Sequence, residues 1–319
     1  MNRLVLIDTL NFFHRAFHAY PPQLTTLQGE PVNAVYGFAS MLIGLAEELQ
    51  PTHLAVAYES EKEPTFRVLE FPAYKATRVP LPPEEQVQFD SQLPRLEEFI
   101  RAAGIAELRA EGFEADDIIG TVTKSVSQKS GVEIIIASND RDLMQLIRPG
   151  VRFYLPAVGR QPRRKIGAPT GASGKAKLYG EKEFFEEYGF KPPFLVDYKA
   201  LRGDPSDNIP GVRGIGEKTA AELVKKYGPV EDIYKHILDI RPAVAQKLAD
   251  DKSNAELSRR LATIVTDAPI KFELEDLKFT GFDRPELKDL FRKWGFRSLL
   301  SKLEGGPVEE SNQNQMKLL

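Results

Sequence analysis

Three short runs of β-branched and aliphatic residues, separated by segments with helical spacing, constrain the fold of this chain more than any other feature. The runs are LVLI (4–7), HLAVA (53–57) and VEIIIA (132–137). Helical spacing is present at 34–48, 83–103 and 118–129, and Pro94 should kink the second of these helices. Strands that alternate with helices are typical of a parallel sheet with crossover helices. We therefore predict an α/β fold for the first half of the chain.

The second half has no strand-like runs after residue 181. Short helical segments cover 181–188, 194–201, 217–227 and 229–237, and more follow to about residue 303. The predicted organisation is an α/β domain at 1–180, an all-helical domain at 181–303 and a disordered tail at 304–319. Residues 159–180 hold six Lys and Arg residues and no acid, which indicates a mobile basic loop. Composition leaves open whether this loop contacts phosphate or is only a solvated linker.

Composition narrows the class of protein. The chain has no cysteine, which excludes disulfides and thiolate metal sites and favours a cytosolic protein. The longest uncharged run, at 31–46, is too short and too polar to cross a bilayer, and Asp8 interrupts the first apolar run too early for a secretory signal. The net charge of −3 says little about partners, because local clusters of charge do not cancel in space. We expect a soluble cytoplasmic protein with no membrane partner.

Acidic residues follow each of the three predicted strands. Asp8 follows the first strand, Glu59 the second, and Asp140 with Asp142 the third. Because ligands of open parallel sheets bind at the carboxyl ends of the strands, these side chains should converge on one crevice. A further acidic group stands at the head of the helix predicted at 118–129, and consists of Glu114, Asp116 and Asp117.

Any one of these acids could be a helix cap or a solvated charge, but the group as a whole predicts a metal site. Two carboxylates about 4 Å apart repel by roughly 4 kcal/mol at an effective dielectric near 20. Divalent cations that prefer oxygen ligands relieve this repulsion. Without cysteine, and with only four scattered histidines, a zinc site is disfavoured. The carboxylates therefore indicate Mg²⁺ or Mn²⁺ and phosphate chemistry.

The segment GDPSDNIPGVRGIGEKTAAELVKKYG combines an acid pair with a glycine-rich turn. The acids are Asp204 and Asp207, and the glycines precede a helix predicted at 217–227 that carries three lysines. Glycines let the backbone approach a phosphate, which the free N–H groups of a helix start can bind. A tight helix-helix turn is the alternative interpretation. The adjoining acids and lysines favour sequence-independent binding of a nucleic-acid backbone.

Five motifs, in order along the chain, carry a resemblance to a known family. They are LVLIDTLNFFHRAFHAY, PTFR with YKATR, EGFEADDIIG, ASNDRDLMQL and GDPSDNIPGVRGIGEKTA. From about residue 3 to residue 303 the chain resembles the 5′-nuclease family, namely the 5′→3′ exonuclease domain of bacterial DNA polymerase I and its flap-endonuclease relatives. The resemblance implies a PIN-like parallel-sheet core with a helical arch at about 71–93, followed by a helix-hairpin-helix domain.

The resemblance also implies a set of site residues. Two Mg²⁺ ions, which Mn²⁺ could replace, would clamp the scissile phosphate. One ion would be held by Asp8, Glu114 and Asp116 with Asp117 close by, and the other by Asp140, Asp142 and Asp207 with help from Asp204. Lys75 and Arg78 match basic residues at the base of the arch that would contact this phosphate. The hairpin would hold K⁺ on the backbone carbonyls of Val212 and Ile215. The residues that the resemblance implies for DNA binding are Gly211, Val212, Gly214, Ile215, Gly216, Lys218 and Thr219.

One departure from the family pattern affects the predicted activity. After the second strand the family usually has Asp in a phrase like FDAK, whereas this chain reads YESEKE and places Glu59 there. The additional methylene can move the carboxylate oxygen by more than about 1 Å, and a misplacement of that size can cost about 10²-fold in rate. The leading hypothesis is a Mg²⁺-dependent 5′-nuclease that acts on 5′ flaps and 5′ ends in primer removal and repair. The alternative is a weakened nuclease that mainly binds branched DNA.

Two further interpretations concern substrate and partner. A small α/β-type RNase also has acids at its strand ends, but the helical domain with GVRGIGEKT argues against it. The chain ends in QMKLL, which begins at Gln315, ends at Leu319 and loosely resembles the short peptides that dock on bacterial sliding clamps. We expect a monomer that binds DNA with 5′ flaps or 5′ ends. The final peptide makes a sliding clamp a candidate second partner, and a chance match of five residues is the alternative interpretation.

Overall fold

A six-stranded sheet forms the centre of the first domain. The computed structural model describes residues 2–59, 63–156 and 176–305, and within them the strand order is β3-β2-β1-β4-β5-β6. Strands β1 to β5 are parallel, and β6 pairs antiparallel with β5 at one edge. The strands are β1 Asn2–Asp8, β2 His53–Tyr58, β3 Ala106–Arg109, β4 Val132–Ala137, β5 Val151–Leu155 and β6 Lys177–Tyr179.

Three of these strands confirm the sequence-based prediction, and three were missed. Strand β3 has four residues, of which two are exposed, and Arg152 interrupts β5, so neither produces a continuous apolar run. Strand β6 lies within 159–180, the segment predicted to be a basic loop, and its pairing with β5 depends on tertiary contact. Residues 157–175, which include most of that predicted loop, lie outside the described residues.

Helices surround the sheet and then continue alone. The first group is α1 Thr9–Ala19, α2 Asn33–Leu49, α3 Phe66–Glu70, α4 Pro83–Asp90, α5 Leu93–Ala102 and α6 Ala115–Ser127. The second group is α7 Glu181–Tyr188, α8 Leu195–Arg202, α9 Glu217–Tyr227, α10 Val230–Lys235, α11 Pro242–Asp250, α12 Lys252–Ala262, α13 Pro285–Trp294 and α14 Arg297–Leu303.

The helix predicted at 83–103 is two helices, α4 and α5, and the kink expected from Pro94 is a full break. Pro94 has no N–H to donate to the carbonyl of Asp90, which is the last residue of α4. The side chain of Gln92, at the break, is fully buried and accepts the backbone N–H of Ala34 at 2.9 Å. Tertiary packing against α2 therefore fixes the direction that α5 takes.

Both faces of the sheet are covered, which explains why the central strands are almost entirely apolar. Leu4 and Leu6 of β1 face the core that contains Ile118 of α6. Val5 and Ile7, one step along the same strand, face the core that contains Phe38 of α2. Within the described ranges, no helix is both long and apolar enough to cross a membrane.

The last two helices return to the first domain. Phe291 of α13 stacks on Phe99 of α5, with ring centroids 6.2 Å apart, and Trp294 and Phe296 belong to the same core. Helix α13 presents its apolar residues on one side, so it buries that side on α5 while its charged side stays exposed. The core of the first domain therefore includes residues that follow the helical segment α7 to α12.

Candidate metal centre

One cleft at the carboxyl ends of β1 and β4 gathers most of the acids predicted to form a site. It is lined by Glu114, Asp116, Asp140, Asp142 and Asp207, together with Arg67, Tyr74 and Lys75. Asp8 adjoins the cleft, because the hydroxyl of Ser138 donates to Asp8 and accepts the backbone N–H of Asp140. The acids come from four separate parts of the chain, and the parallel sheet brings their strand and helix ends to one edge.

Asp8 is the last residue of β1 and the N-cap of α1. One of its carboxylate oxygens accepts the backbone N–H of Asn11, and the other accepts the hydroxyl of Ser138 at 3.0 Å. Burial raises the pKa of Asp8 to about 7, and the neighbouring Asp140 adds to this effect. The side chain is therefore held in place but is costly to ionise without a cation.

Glu114 and Asp116 begin α6. Glu114 is the N-cap and is buried, and its carboxylate accepts the ammonium of Lys75 at 2.8 Å and the hydroxyl of Tyr74 at 3.3 Å. Burial raises the pKa of Asp116 well above its ordinary value, and the charges of Asp140 and Asp8 raise it further. Most of the other carboxylates in the cluster therefore oppose the ionisation of Asp116.

A second group lies at the other side of the cleft. Carboxylate oxygens of Asp142, Asp204 and Asp207 all lie within 4.8 Å of one another, which is close enough to share a metal ion. Asp142 is in the 3₁₀ turn that follows β4, and the other two are in the loop after α8. Burial raises the pKa of Asp142 to about 7, with Asp140 adding to the effect and Lys199 opposing it.

Lys199 compensates part of this second group and was missed by the sequence analysis. Its ammonium, on the buried side of α8, donates to Asp142 and to Asp204, the latter at 2.5 Å. Burial would raise the pKa of Asp204, but Lys199 and the hydroxyl of Ser206 outweigh it and hold that pKa below its ordinary value. Nothing in the sequence DYKALR distinguishes this lysine from a solvated one.

Asp117 occupies a different position from its neighbour Asp116. It is fully buried, and both of its oxygens are bound by the guanidinium of Arg67 at 2.7 and 2.8 Å. It also accepts the backbone N–H groups of Glu114 and Val265. These four bonds occupy both carboxylate oxygens of Asp117 and leave none free for a metal. Through them Asp117 links α3, α6 and the segment after α12.

Glu59 lies at the rim of the site. It is exposed, one residue beyond β2, whereas Asp8 and Glu114 are buried. Its charge still interacts with those of Lys75 and Glu114. Burial raises the pKa of Glu59, an effect that Lys75 opposes and Glu114 reinforces, so the carboxylate reaches the charged groups of the cleft from its rim.

The basic residues predicted at the base of the arch also reach the cleft. Arg78 donates to Asp207 at 2.6 Å, and the ammonium of Lys75 lies beside Glu114. Tyr74, in the YKATR motif, places its hydroxyl between Glu114 and Asp207. Residues 71–93 form turns followed by α4, so this segment has one helix and an irregular start.

The glycine-rich turn connects α8 to α9. A side chain at Gly211 would meet the backbone N of Gly203 at 2.3 Å, and its φ of +64° also requires glycine. Val212 and Ile215 are buried, with the N–H of Ile215 bonded to the carbonyl of Val212. Gly216 precedes the first turn of α9, where Lys218 is exposed and Thr219 is half-buried. This turn presents the N-terminus of α9 to solvent.

The chemistry of the site follows from its donor set. Carboxylates whose protonation is favoured by burial and by one another fit a hard divalent cation, which would compensate their charge. Their oxygens lie at the strand ends of a parallel sheet, beside Lys75 and Arg78, whose side chains can bind phosphate. This fold and this site define a metal-dependent nuclease.

The family follows from comparison with known proteins. The family described as 5′-3′ exonuclease, N-terminal resolvase-like domain, matches residues 3–189, and that described as 5′-3′ exonuclease, C-terminal SAM fold, matches residues 190–285. The chain belongs to the 5′-3′ exonuclease family.

Two relatives are DNA polymerases I from bacilli. The enzyme of Bacillus caldotenax is 40% identical over 309 residues, which is 97% of this chain and 33% of the relative. The enzyme of Bacillus subtilis is 38% identical over 314 residues, which is 98% of this chain and 33% of the relative. The chain thus spans about a third of the length of the curated relatives that it matches.

Solved structures show the same fold at lower identity. The bacteriophage T5 5′-exonuclease with bound zinc ions has a TM-score of 0.64 at 21% identity, and the match covers 82% of this chain and 89% of that one. A complex of bacteriophage T5 flap endonuclease with DNA and metal ions has a TM-score of 0.64 at 19% identity, and the match covers 95% and 97%. Human GEN1 with Holliday junction DNA has a TM-score of 0.54 at 13% identity, and the match covers 93% and 67%.

The raised pKa values predict opposite effects of pH on the metal-free and the metal-bound protein. Asp8 and Asp142 have pKa values of about 7 in the fold, above the ordinary 3.8. Their contribution to stability is therefore fully present below pH 3.8 and is lost as the pH rises through about 7. If both groups are metal ligands, binding needs them deprotonated, so stabilisation by Mn²⁺ should grow over the same range.

Melting temperatures at about pH 6 and about pH 8, in EDTA and in Mn²⁺, test this expectation. The EDTA sample should melt lower at the higher pH, and the shift caused by Mn²⁺ should be larger there. An Asp8→Asn variant should show a shallower pH dependence in EDTA. An equal Mn²⁺ shift at both pH values would contradict the assignment of these carboxylates to the metal site.

Proposed function

We propose that this chain is a structure-specific 5′→3′ exonuclease and flap endonuclease that hydrolyses DNA phosphodiesters with two divalent ions. The observation that carries the proposal is the pair of adjoining carboxylate groups in one cleft, beside Lys75 and Arg78. Mg²⁺ is the expected metal and Mn²⁺ a substitute, because every donor is an oxygen. Two such ions would activate water and stabilise the leaving oxygen of the phosphodiester.

The two ions would take different residues. The first would be held by Asp8, Glu114 and Asp116, and the second by Asp140, Asp142, Asp204 and Asp207. Lys199 would compensate the second group when no ion is bound. Asp117 would act indirectly, because its bonds to Arg67 and to the N–H of Glu114 fix the start of α6.

Lys75 and Arg78 would bind the scissile phosphate. In the free protein each pairs with a cleft carboxylate, Glu114 for Lys75 and Asp207 for Arg78. When metal neutralises those carboxylates, the two cations become available to phosphate oxygens. Arg78 is half-exposed, with 52% of its side chain accessible, so it can turn toward a substrate with little rearrangement.

The hairpin and α9 would bind the duplex part of the substrate. The free N–H groups at the start of α9 and the exposed Lys218 suit phosphate and carry no base preference. The substrate would be DNA with 5′ flaps or 5′ ends, used in primer removal and repair by a monomer. A sliding clamp as partner stays a sequence-based proposal, because residues 315–319 lie outside the described part of the chain.

Single-turnover cleavage of a 5′-flap duplex with Mg²⁺, Mn²⁺ or EDTA tests the proposal. We expect metal-dependent cleavage near the flap junction, and Glu59→Asp should change its rate by less than about tenfold because Glu59 lies at the rim. Glu63→Asp, the same shortening at another exposed position, is the matched control. Flap binding without cleavage until Asp replaces Glu59 would favour the second candidate, a weakened nuclease that mainly binds branched DNA.

A further inference from the structure

Two residues other than glycine adopt the left-handed backbone conformation on neighbouring segments beside the cleft. Lys75, in the turns that begin the segment 71–93, has a φ of +57°, and Asn208, in the loop after α8, also has a φ of +57°. A lysine in this conformation is strained, whereas asparagine tolerates it better than most residues. Strained backbone persists only where surrounding contacts hold it. The contacts that hold the turn of Lys75 therefore decide where its ammonium lies.

Two hydrogen bonds join these segments. The backbone N–H of Lys75 donates to the carbonyl of Asp207 at 2.9 Å, and the side-chain amide of Asn208 donates to the carbonyl of Ala73 at 2.7 Å. We call this contact between residues 73–75 and 207–208 the latch. It ties the turn of Lys75 to the loop that carries Asp207.

The turn held by the latch carries two side chains that enter the cleft. Tyr74 is buried, belongs to one apolar cluster with Ile209, and donates its hydroxyl to Glu114 at 3.3 Å. Lys75 places its ammonium 2.8 Å from the same carboxylate. A bond to the carbonyl of Ala73, two positions before Lys75, restricts the direction from which both side chains enter the cleft.

The loop of Asn208 has hydrogen bonds of its own. The N–H of Ile209 donates to the carbonyl of Asp204 at 2.8 Å, and the N–H of Asp204 donates to the carbonyl of Ile209 at 2.9 Å. The hydroxyl of Ser206 donates to the carboxylate of Asp204 at 2.6 Å. The side chain of Asn208 takes part in none of these bonds and instead reaches the turn of Lys75. Its loss should leave the carboxylates of the loop in place and release the turn.

We propose that Asn208 is a positioning residue that holds Lys75 for catalysis through the carbonyl of Ala73. The inference rests on the proposed function, in which Lys75 binds the scissile phosphate. The position of such a group matters, because a displacement of about 1 Å can cost about 10²-fold in rate. Asn208 lies 135 positions along the chain from Ala73, so the motif that contains Asn208 does not identify this partner.

The test compares Asn208→Gly and Asn208→Ala with the wild type. Both variants lack the amide, but glycine adopts the left-handed conformation without strain and alanine does not. Gln50→Gly is the matched control, because Gln50 has a φ of +48° and its side-chain amide donates to the carbonyl of Glu47 at 2.8 Å. Gln50 lies between α2 and β2, at the amino ends of the strands and away from the cleft.

Both Asn208 variants should cleave a 5′-flap duplex at least about tenfold more slowly than the wild type in single-turnover reactions with Mg²⁺. The rise in melting temperature caused by Mn²⁺ should stay as in the wild type, because the loop keeps its own bonds. Gln50→Gly should match the wild type in both measurements. Normal cleavage by Asn208→Gly, with a loss only in Asn208→Ala, would mean that the backbone conformation alone matters and would overturn the proposal.

Hydrogen exchange in EDTA measures the latch without any reaction. The amides of residues 73–79 should exchange about threefold faster or more in Asn208→Gly than in the wild type, since the turn loses one of the two bonds of the latch. The amides of Asp204 and Ile209 should exchange at unchanged rates. Unchanged exchange at 73–79 would overturn the proposal, as would a loss of the Mn²⁺ effect together with cleavage.

These outcomes distinguish the role of Asn208 from the proposed function. If the wild-type protein cleaves no 5′ flap with Mg²⁺ or Mn²⁺, the proposed function fails, and the catalytic role of Asn208 fails with it. If the wild type cleaves normally and Asn208→Gly cleaves equally fast, the role of Asn208 alone fails.

Discussion

Asp116→Asn should abolish metal-dependent cleavage and at the same time raise the melting temperature of the protein in EDTA. Asparagine keeps the size of the side chain and removes the charge. The carboxylate of Asp116 is opposed first by burial and then by Asp140, Asp8, Glu114 and Asp142, so its loss relieves the repulsion of the whole cluster. In the proposed function this unfavourable group is retained because it would hold a metal ion.

The loss of cleavage should be at least about 10²-fold, as expected when one group that organises transition-state charge is removed. Binding of a 5′-flap duplex should stay within about threefold, because the substitution removes no phosphate contact. Single-turnover rates, anisotropy and melting in EDTA measure the three quantities. Asp267→Asn, an exposed acid on a loop, is the matched control and should change none of them. A variant that cleaves at near-normal rates would remove Asp116 from the site.

Lys199→Met should destabilise the metal-free protein strongly, and a divalent ion should restore much of the loss. The side chain of Lys199 is only 10% accessible, and it pairs with Asp142 and Asp204. Removing one partner of a buried ion group leaves uncompensated charge, which typically costs about 3 kcal/mol or more in unfolding free energy. Here the remaining carboxylates of Asp142, Asp204 and Asp207 lie within 4.8 Å of one another, so a metal ion can replace the ammonium.

Urea unfolding in EDTA and in Mn²⁺ measures this compensation. The difference between the two conditions should be larger for Lys199→Met than for the wild type. Lys182→Met, an exposed lysine of α7 with 81% of its side chain accessible, removes the same charge at the surface and should change stability little. If the loss in Lys199→Met is the same with and without metal, the lysine supports the fold and does not stand in for an ion.

Much of the fold could be predicted because its signals are local. The apolar runs of β1, β2 and β4 are long enough to identify, and the helix starts at 181 and 217 carry ordinary boundary residues. Strands β3, β5 and β6 were missed because their sequences AELR, VRFYL and KLY contain charged residues that interrupt the apolar pattern. The break between α4 and α5 was underestimated because it depends on Gln92, whose side chain is buried against the start of α2.

The convergence of the acids was also predictable from sequence. Parallel strands place their carboxyl ends at one edge, so residues that follow β1, β2 and β4 must lie near one another whatever the details of packing. Because α6 follows β3, the same rule places the start of α6 at that edge. The sequence alone therefore determined that the chain has an acidic cleft suited to divalent metal, and its motifs determined the family.

Only the tertiary structure decided what each charged residue does in that cleft. Asp116 and Asp117 are adjacent in sequence, yet Asp117 is taken by Arg67, 50 positions away, while Asp116 faces the other acids. Lys199 and Lys247 look like surface lysines, and packing of α8 and α11 gives each a specific oxygen partner. The physical reason is that the free energy of a charge depends on its burial and on neighbours within a few ångströms. Periodicity and spacing fix where the backbone goes, but those neighbours come from distant parts of the chain.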